Sequence, residues 1–172
     1  ALKRKKNPYS GFLYVGLMIK DNQPYLIEYN IRMGDPECQV ILPRLKTDII
    51  KIINSVVNDK LKETKVEWKK DKSMTIVLCS KGYPGKYKKN VKIKNIAKIN
   101  LSKNEFIYHA GTKYKNGHLL SNGGRVLNIT STGGEFLSIR NNIIRIIKKL
   151  NWKAGFYRKD IGWKIINKYA DN

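Results

Sequence analysis

The chain contains 172 residues, and its 35 lysines and arginines against 13 aspartates and glutamates give a formal net charge of +22 at pH 7. This length is enough for one domain or two small ones. No apolar run approaches the ~20 residues of a membrane-spanning helix, and nothing near residue 1 has the layout of a signal peptide, so we expect a cytoplasmic protein without membrane contact.

The first predicted elements are two strands joined by a turn. Residues 11–19 are nearly all apolar, which is typical of a strand buried on both faces. The sequence Asp-Asn-Gln-Pro at residues 21–24 has turn chemistry and predicts a hairpin. The second strand alternates between an apolar set and a set with polar members, namely Tyr25, Ile27, Tyr29 and Ile31 against Leu26, Glu28 and Asn30. This period of two predicts that Tyr29 points into a core, while Glu28 and Asn30 point the same way as each other.

The pair Glu28 and Asn30 has the chemistry of a metal site. A carboxylate and a carboxamide on a rigid strand present hard oxygen ligands, and Mg²⁺ takes one or two such oxygens while phosphates and water supply the rest. Arg32 follows, and the next turn adds Asp35 and Glu37. Glu-x-Asn is equally typical of an amphipathic edge strand whose polar side chains face water, so both interpretations stay open from these residues alone.

After this turn the sequence predicts one helix and a charged connection. Thr47 or Asp48 can cap a helix whose apolar side chains share one face. These apolar side chains are Ile49, Ile52, Ile53 and Val56. Residues 60–72 are highly charged with few apolar positions, and they predict a short connection.

The rest of the chain predicts strands followed by a long helix. Apolar strands are expected at residues 74–79, 106–108 and 126–130, each bounded by Gly or Asn. The best helical pattern spans residues 135–150. Its apolar face consists of Phe136, Ile139, Ile143, Ile146, Ile147 and Leu150.

Two glycine-containing segments in this region each have two interpretations. The Gly-Tyr-Pro-Gly sequence at residues 82–85 either closes a substrate pocket or only ends a strand in a turn. Gly123, Gly124 and Arg125, with Gly111, can bring backbone N–H groups and a guanidinium to an anion. A type I′ hairpin at Asn122-Gly123 explains the same residues without a ligand.

Two further motifs of this region favour structural roles. His109 is a lone histidine at a predicted strand end, where we expect a structural role rather than catalysis. Residues 158–163 are predicted to dock the C-terminal segment. In that segment we expect Asp160 to pair with a basic side chain and Trp163 to pack.

The excess of basic residues allows a different function. Basic clusters at residues 3–6, 86–89 and 148–149, with ten tyrosines distributed through the chain, are the pattern of a non-catalytic module that binds nucleic acid. Lys, Ile and Asn are enriched together, however, as an AT-rich genome encodes them, and no zinc finger, basic zipper or RNP-like motif is present. This favours a solvated lysine surface over a dedicated nucleic-acid site.

Residues 26–37, Leu-Ile-Glu-Tyr-Asn-Ile-Arg-Met-Gly-Asp-Pro-Glu, resemble the metal-binding strand of ATP-grasp ligases. The likeness is greatest to the phosphoribosylamine–glycine ligase (glycinamide ribonucleotide synthetase) family, because Gly-Asp-Pro-Glu follows Asn-x-Arg. Five more segments resemble this family in the same order along the chain: residues 11–19, 82–85, 109–113, 122–127 and 158–163. The resemblance extends from about residue 7 to the end.

This resemblance implies an α+β fold in two parts. Residues 1–66 are expected to form the C-terminal part of an ATP-grasp core, with antiparallel strands and a helix. Residues 67–172 are expected to form a small mixed β/α C-terminal domain. In the family, the substrate domain, the ATP-clamping subdomain and the first part of the core lie upstream, so we expect this chain to be inactive on its own.

The resemblance also implies an activity, the ATP-dependent joining of glycine to 5-phosphoribosylamine through glycyl phosphate. The products are glycinamide ribonucleotide, ADP and phosphate, in purine biosynthesis. The expected partners are therefore ATP, glycine, 5-phosphoribosylamine and the N-terminal part of the same enzyme.

Site residues follow from the resemblance position by position. Glu28 and Asn30 are expected to bind Mg²⁺ together with ATP, with Mn²⁺ as the alternative ion, and Arg32 to contact phosphate or acyl-phosphate oxygens during catalysis. Substrate contacts are expected at Gly34, Asp35 and Glu37 and at Gly123, Gly124 and Arg125.

The two cysteines, Cys38 and Cys79, belong to no C-x-x-C motif and to no Cys/His cluster. The sequence therefore predicts two buried free thiols in a reducing compartment, and a zinc site is not expected. Cys38 stands where members of the resembling family commonly carry threonine, which affects the shape of the expected pocket.

Overall fold

A computed structural model describes residue 6 and residues 8–168 of the chain. Most of the basic cluster at residues 3–6 lies outside the described residues. Within the described part, no helix is both long enough and apolar enough to cross a membrane. The chain divides into two compact units, a first unit of Ala1–Cys38 with Leu45–Lys69 and a second unit of Gln39–Arg44 with Lys70–Asn172.

The first unit contains the predicted hairpin. Strands β1 (Tyr14–Lys20) and β2 (Gln23–Asn30) pair antiparallel. The connecting residues Asp21 and Asn22 have φ values of 49° and 60°, the left-handed backbone that a tight two-residue hairpin turn requires. Asp and Asn tolerate this conformation better than most side chains, so the predicted turn and hairpin are confirmed.

A β-bulge changes which side chains share a face of the hairpin. Gly16 pairs with Glu28, but Leu17 pairs with Leu26, so Ile27 is an extra residue. Directly paired residues project from the same face of a sheet. The polar face, as we name it, therefore carries Tyr14, Gly16, Met18, Tyr25, Glu28 and Asn30, and the opposite apolar face carries Val15, Leu17, Ile19, Leu26 and Tyr29. Simple alternation predicted Tyr25 and Leu26 on the reverse faces, and the bulge exchanges them.

The hairpin is exposed on both faces. Leu17 retains 50% of its accessible surface and Tyr29 retains 61%, and the only buried residues in the described part of the first unit are Gly16 and Gly34. The predictions of a strand buried on both faces and of an inward Tyr29 are therefore wrong for this chain. Two strands alone shield little of each other's side chains, because a sheet face is buried only when another layer covers it.

Two short helices follow the hairpin. Helix α1 spans Cys38–Ile41 and leads into a 3₁₀ turn at Leu42–Arg44. Helix α2 spans Ile49–Val57, and the Asp48 carboxylate caps it by accepting a hydrogen bond of 2.7 Å from the Ile50 N–H. This confirms the predicted helix and selects Asp48 over Thr47 as its cap.

An apolar groove runs along α2 in the first unit. Its volume is about 570 Å³, and Ser10 is its one polar lining residue. The remaining lining residues are Gly11, Phe12, Ile52, Ile53, Val56, Val57 and Leu61. The predicted apolar face of α2 therefore forms the wall of an open groove, and none of the residues of this helix is buried.

The second unit is built on a four-stranded antiparallel sheet with the strand order β4-β7-β3-β8. Its strands are β3 (Lys72–Ser80), β4 (Glu105–His109), β7 (Arg125–Gly133) and β8 (Gly155–Phe156). The long strand β7 pairs with β3 over most of its length and with β4 on its other edge. The three strands expected from the apolar pattern are all present.

A small ribbon and two helices complete the second unit. Strands β5 (Thr112–Lys115) and β6 (His118–Ser121) pair antiparallel around Asn116 and Gly117, whose φ values are 50° and 72°. Helix α3 spans Phe136–Leu150 and α4 spans Trp163–Lys168.

The core of the second unit lies between α3 and the sheet. Ile139, Ile143, Ile146, Ile147 and Leu150 of α3 are buried, as the helical pattern predicted. From the sheet they meet Met74, Ile76, Leu78, Val126, Leu127 and Ile129, and Phe136 packs at the edge. Each fully buried side chain of this size contributes roughly 1.5–3 kcal/mol relative to exposure, so this core accounts for the stability of the second unit.

Candidate functional site

The polar face of the hairpin brings Glu28 and Asn30 together. The Asn30 side-chain amide donates a hydrogen bond of 2.9 Å to Glu28 Oε1, and both side chains are solvent-accessible. Opposite them, a Cβ on Gly16 would lie 3.0 Å from Glu28 Cγ, so glycine leaves room for the Glu28 side chain. This arrangement holds one carboxylate and one carboxamide oxygen on the same side of a strand.

Tyr14 joins this site from the neighbouring strand. It pairs with Asn30 in the hairpin register, and its hydroxyl donates a hydrogen bond of 3.2 Å to Glu37 Oε1. The negative charge of Glu37 is the main cause that raises the pKa of Tyr14, with smaller contributions from burial, from the hydrogen bond and from Glu28. The carboxylates of Glu37 and Glu28 therefore both act on the Tyr14 hydroxyl.

Tyr14 was not identified as a site residue from the sequence. The signal that could have found it was the hairpin register, since the residue across from a functional side chain in an antiparallel pair lies within contact distance. Counting back from the Asp21-Asn22 turn without the bulge gives a different partner, so the register was not available from the pattern alone.

The turn after β2 holds the remaining predicted residues of the first unit. The Glu37 carboxylate lies against Gly34, where a Cβ would clash with it. The Arg32 guanidinium donates a hydrogen bond of 2.8 Å to the Met33 carbonyl. Burial raises the pKa of the Cys38 thiol, and the nearby Asp35 charge adds to this shift. The turn thus groups these residues next to the end of β2.

The donor set on the polar face fits a hard divalent cation that shares its coordination with other ligands. Within residues 6 and 8–168, no group of three or more His, Cys, Asp or Glu side chains is arranged to hold a metal ion. A carboxylate and a carboxamide are too few for a closed site, but they suit Mg²⁺, which keeps waters and accepts substrate phosphates. The metal-ligand assignment of Glu28 and Asn30 remains a prediction.

The second predicted substrate segment has its backbone amides already engaged. The Asn122 and Gly123 N–H groups donate to the Gly111 carbonyl at 2.7 and 3.1 Å, and the Gly111 N–H donates to the Arg125 carbonyl at 2.9 Å. A Cβ on Gly123 would lie 3.0 Å from the Gly111 Cα. The glycines are thus explained by two backbones in close contact, and the Gly123 N–H is not available to an anion.

The type I′ hairpin considered at Asn122-Gly123 is not present. Neither residue has a positive φ, and the strands on either side belong to different sheets. The Asn-Gly turn of this region is instead the one between β5 and β6, at Asn116 and Gly117.

The turn at residues 82–85 packs on this same segment. The ring of Tyr83 lies against Gly124, where any Cβ would overlap it, and Tyr83 meets Tyr87 edge-to-face with ring centroids 6.1 Å apart. Gly82 has a φ of 97°, which an L side chain rarely adopts. The two glycine motifs are therefore parts of one packed corner, from which the exposed Arg125 side chain projects.

The lone histidine and the C-terminal motif have local partners. A ring nitrogen of His109 lies 2.9 Å from Thr112 Oγ1, consistent with the expected structural role. Arg158 donates two hydrogen bonds to the Asp160 carboxylate, which lower the pKa of Asp160, so the expected pairing is confirmed. Trp163 is 52% exposed, and the expectation that it packs is wrong.

The sequence predicted two buried free thiols. Cys38 and Cys79 are free, but each is half-buried rather than buried.

Lysines of the cluster at residues 86–89 line an open cavity of about 570 Å³ in the second unit. Its lining residues are Lys81, Lys86, Tyr87, Lys88, Val91 and Ala154. The lysines are exposed, as expected of a solvated basic surface.

Comparisons with known proteins match both units of the chain. A family model described as phosphoribosylglycinamide synthetase, C domain, matches residues 73–164. A second model, the ATP-grasp (A) domain of the same synthetase, matches residues 1–38. The boundary of the second match falls just after the turn that carries Glu37.

Two similar proteins and one solved structure carry the same name. A phosphoribosylamine–glycine ligase of Brucella melitensis is 41% identical over 96% of this chain and 39% of its own length. The ligase of that name from Agrobacterium fabrum is 44% identical over 93% of this chain and 37% of its own length. A crystal structure of phosphoribosylamine–glycine ligase from Thermotoga maritima aligns with a TM-score of 0.72 and 33% identity, over 92% of this chain and 39% of that chain.

The chain thus spans about two-fifths of the length of these relatives. The C-domain model alone matches more than half of it, and the α+β architecture and the order of the motifs agree with that match. The chain belongs to the phosphoribosylglycinamide synthetase family.

Proposed function

We propose that this chain is the C-terminal part of an ATP-dependent ligase that joins glycine to 5-phosphoribosylamine in purine biosynthesis. Glycine's carboxylate attacks the γ-phosphate of ATP to give glycyl phosphate and ADP. The amine of phosphoribosylamine then displaces phosphate and forms the amide of glycinamide ribonucleotide. In this proposal residues 1–66 complete an ATP-grasp core and residues 67–172 form the C-terminal domain.

Glu28 and Asn30 carry the central role. A divalent cation held by them, Mg²⁺ or Mn²⁺, supplies charge neutralisation at the phosphoryl oxygens. The hydrogen bond of 2.9 Å from Asn30 to Glu28 fixes the two oxygens relative to each other before any ligand binds, which lowers the cost of organising the site. This pairing on the polar face is the observation that carries the proposal.

The residues beside the pair position the substrates. Arg32 contacts phosphate and acyl-phosphate oxygens, for which a guanidinium is well suited. Asp35 and Glu37, around Gly34, orient the ammonium group of glycine. The hydrogen bond from the Tyr14 hydroxyl to Glu37 holds one of these carboxylates in place.

A further substrate contact is assigned to the second unit. Gly123 and Gly124 allow the close packing that presents Arg125 at an exposed corner. We assign Arg125 the role of binding an anionic part of the substrates, and the two glycines the role of shaping that corner.

The test uses a covalent fusion of this chain to the part of the Agrobacterium fabrum relative that it does not span. Glu28→Gln keeps the shape of the side chain but removes its charge, and Glu63→Gln is a matched control at an exposed 3₁₀ turn of the same unit. We expect phosphate release to slow by about 100-fold or more in Glu28→Gln, to require more Mg²⁺, and to be unchanged in the control.

The melting temperature, measured in parallel, is expected to be the same in both variants, because the Glu28 carboxylate is exposed and forms no part of a core. Near-normal turnover and metal dependence in Glu28→Gln would place the strand in the alternative class of a water-facing edge and would overturn the site assignment.

A further inference from the structure

The open cavity in the second unit combines three cations with an aromatic and apolar wall. We name it the basic cavity; its lining residues are Lys81, Lys86, Tyr87, Lys88, Val91 and Ala154. None of these described lining residues is acidic. Its volume of about 570 Å³ lies within the range of small-molecule sites, which is roughly 300–1,000 Å³. Ammonium groups at one cavity repel one another, and a bound anion would relieve this repulsion.

The charge pattern around the basic cavity differs from that of the charged connection before it. From residue 72 to residue 104 the sequence contains nine lysines and no aspartate or glutamate. Residues 59–71 contain five lysines and four carboxylates, and Glu67 of this connection forms ion pairs with Lys46 and Lys65. An AT-rich codon bias accounts for many lysines in both segments, but it does not account for the loss of every carboxylate from one of them.

The lysines of the basic cavity are available to a ligand. All three are exposed. None of Lys81, Lys86 and Lys88 forms an ion pair with a described carboxylate. A lysine ammonium is a compact charge with three donors and is a common partner of phosphate oxygens. Three such groups at one cavity fit a ligand that carries more than one phosphate.

The loop that carries these lysines is held in place by its backbone. Gly82 has a φ of 97°, and a Cβ at this position would overlap the Lys86 carbonyl oxygen. The Lys81 N–H donates a hydrogen bond of 2.9 Å to the Ala154 carbonyl. These contacts keep the backbones of Lys81 and Lys86 close together. The cation cluster is therefore organised before a ligand binds, which lowers the cost of binding.

Tyr87 gives the basic cavity a wall for a planar ring. It is half-buried, and Tyr83 supports its ring in an edge-to-face contact with centroids 6.1 Å apart. Val91 and Ala154 add half-buried apolar surface. Nucleic-acid bases stack on tyrosine rings, because every base has a π-face. The cavity thus offers charges for phosphates and a ring for a base.

We infer that the basic cavity is a binding site for a nucleoside di- or triphosphate, with Lys81, Lys86 and Lys88 on the phosphates and Tyr87 on the base. This site is separate from the proposed function, which assigns ATP and a divalent cation to Glu28 and Asn30. The lysines supply the positive charge themselves, so binding at the basic cavity needs no metal ion. A volume of about 570 Å³ accommodates a single nucleotide.

The experiment uses the whole 172-residue chain with ADP as the probe, in buffer from which divalent cations have been removed. Isothermal titration calorimetry measures binding, with pyrophosphate and adenosine as probes of the two halves of ADP. The double variant Lys86→Gln/Lys88→Gln removes two charges from the cavity. Lys60→Gln/Lys62→Gln is the matched control, because it removes the same charge with the same spacing at exposed positions of the first unit.

We expect ADP to bind in a one-to-one ratio, and pyrophosphate and adenosine each to bind at least about 5-fold more weakly. Lys86→Gln/Lys88→Gln is expected to weaken ADP binding by at least about 10-fold. The control and Glu28→Gln should leave it unchanged. Tyr87→Leu should weaken the binding of ADP but not that of pyrophosphate, and this retained binding shows that the cavity is still folded.

Several results would overturn the inference. One is no saturable binding of ADP up to about 5 mM. Equal weakening by the cavity variant and the control would show an effect of net charge alone, and equal affinity for ADP and pyrophosphate would exclude recognition of the base. Loss of ADP binding in Glu28→Gln would place the nucleotide in the first unit.

A nucleic-acid strand carries the same phosphates and is tested in the same assay. Submicromolar binding of a single-stranded oligonucleotide that Lys86→Gln/Lys88→Gln abolishes would make the cavity part of a nucleic-acid surface and would also overturn the inference. The proposed function is tested separately by phosphate release in the covalent fusion, so failure of either one leaves the other standing.

Discussion

The two units of this chain place their apolar side chains in opposite ways. In the second unit, residues such as Ile143 and Ile129 are fully buried between a helix and a sheet. In the first unit, residues of the same kind, such as Ile19 and Ile50, are about 60% exposed. Similar helical and strand patterns thus end in a closed core in one unit and in an open hairpin and groove in the other.

The packed core and the proposed metal site therefore lie in different units. The second unit holds the packed core, while the first unit holds Glu28, Asn30 and the turn that follows them. A strand that depends on a further layer for support gains its rigidity only when that layer is present. We therefore expect perturbations of the second unit to change stability, and perturbations of the first unit to change binding.

The largest expected effect on stability comes from the core of α3. Ile143→Ala removes a fully buried side chain and is expected to lower the free energy of unfolding by about 2–5 kcal/mol. Ile50→Ala removes the same atoms from α2 in the first unit, where the side chain is 59% exposed. This change is expected to alter the free energy of unfolding by less than about 0.5 kcal/mol. Urea unfolding monitored by circular dichroism measures both values. Equal losses would show that the first unit has a core of its own.

A smaller effect is expected from the ion pair inside the second unit. Glu105 is 5% exposed, and its carboxylate accepts hydrogen bonds from Arg145 and from the Ser102 N–H. Burial acts to raise the pKa of Glu105, but the bonds to Arg145 and Ser102 outweigh it, so the pKa is lowered. Arg145→Met leaves the carboxylate with fewer donors and is expected to cost about 1–3 kcal/mol at pH 7.

The ion pair of Glu105 and Arg145 predicts that the free energy of unfolding depends on pH. A carboxyl group with a lowered pKa in the folded state stabilises the protein above its unfolded pKa of about 4.3, and this stabilisation is lost as the pH falls through the folded value. Unfolding free energies of the unmodified chain should therefore decrease from about pH 5 downwards. The decrease should be shallower in Arg145→Met. Identical slopes in the two proteins would show that Arg145 does not set the pKa of Glu105.

The smallest expected effect concerns nucleic acid. The lysines around the cavity in the second unit are exposed, so we expect weak binding without sequence preference that falls steeply with salt, because counterion release drives it. Fluorescence anisotropy with two unrelated oligonucleotides across a salt series measures this. Submicromolar, sequence-selective binding at physiological salt would favour the alternative function of a nucleic-acid module.

The sequence predicted those features that depend on neighbouring residues. The Asp21-Asn22 turn, a helix cap at Thr47 or Asp48 and the buried face of α3 follow from local backbone preferences and helical periodicity. All three are present in the structure. The resemblance to a known family predicted the α+β class and the division of the chain into two parts.

Features that depend on distant residues or on a missing layer could not be predicted in this way. The bulge at Ile27 exchanges the faces of Tyr25 and Leu26, and a pattern with a period of two contains no signal for the extra residue. The contact between Gly111 and Gly123 joins residues far apart in sequence. An apolar pattern predicts which side chains are stabilised by burial, but whether they are buried depends on the presence of another layer.

Amide hydrogen exchange of the isolated chain tests the division between the two units most directly. We expect the amides of β7 and α3 to be protected with a free energy close to that of global unfolding, and those of β1 and β2 to exchange with little protection. In the covalent fusion with the part of the Agrobacterium fabrum relative that this chain does not span, the hairpin amides should become protected as well. Hairpin amides of the isolated chain that were as protected as those of β7 would contradict the account, because the hairpin would then be stable without any covering layer.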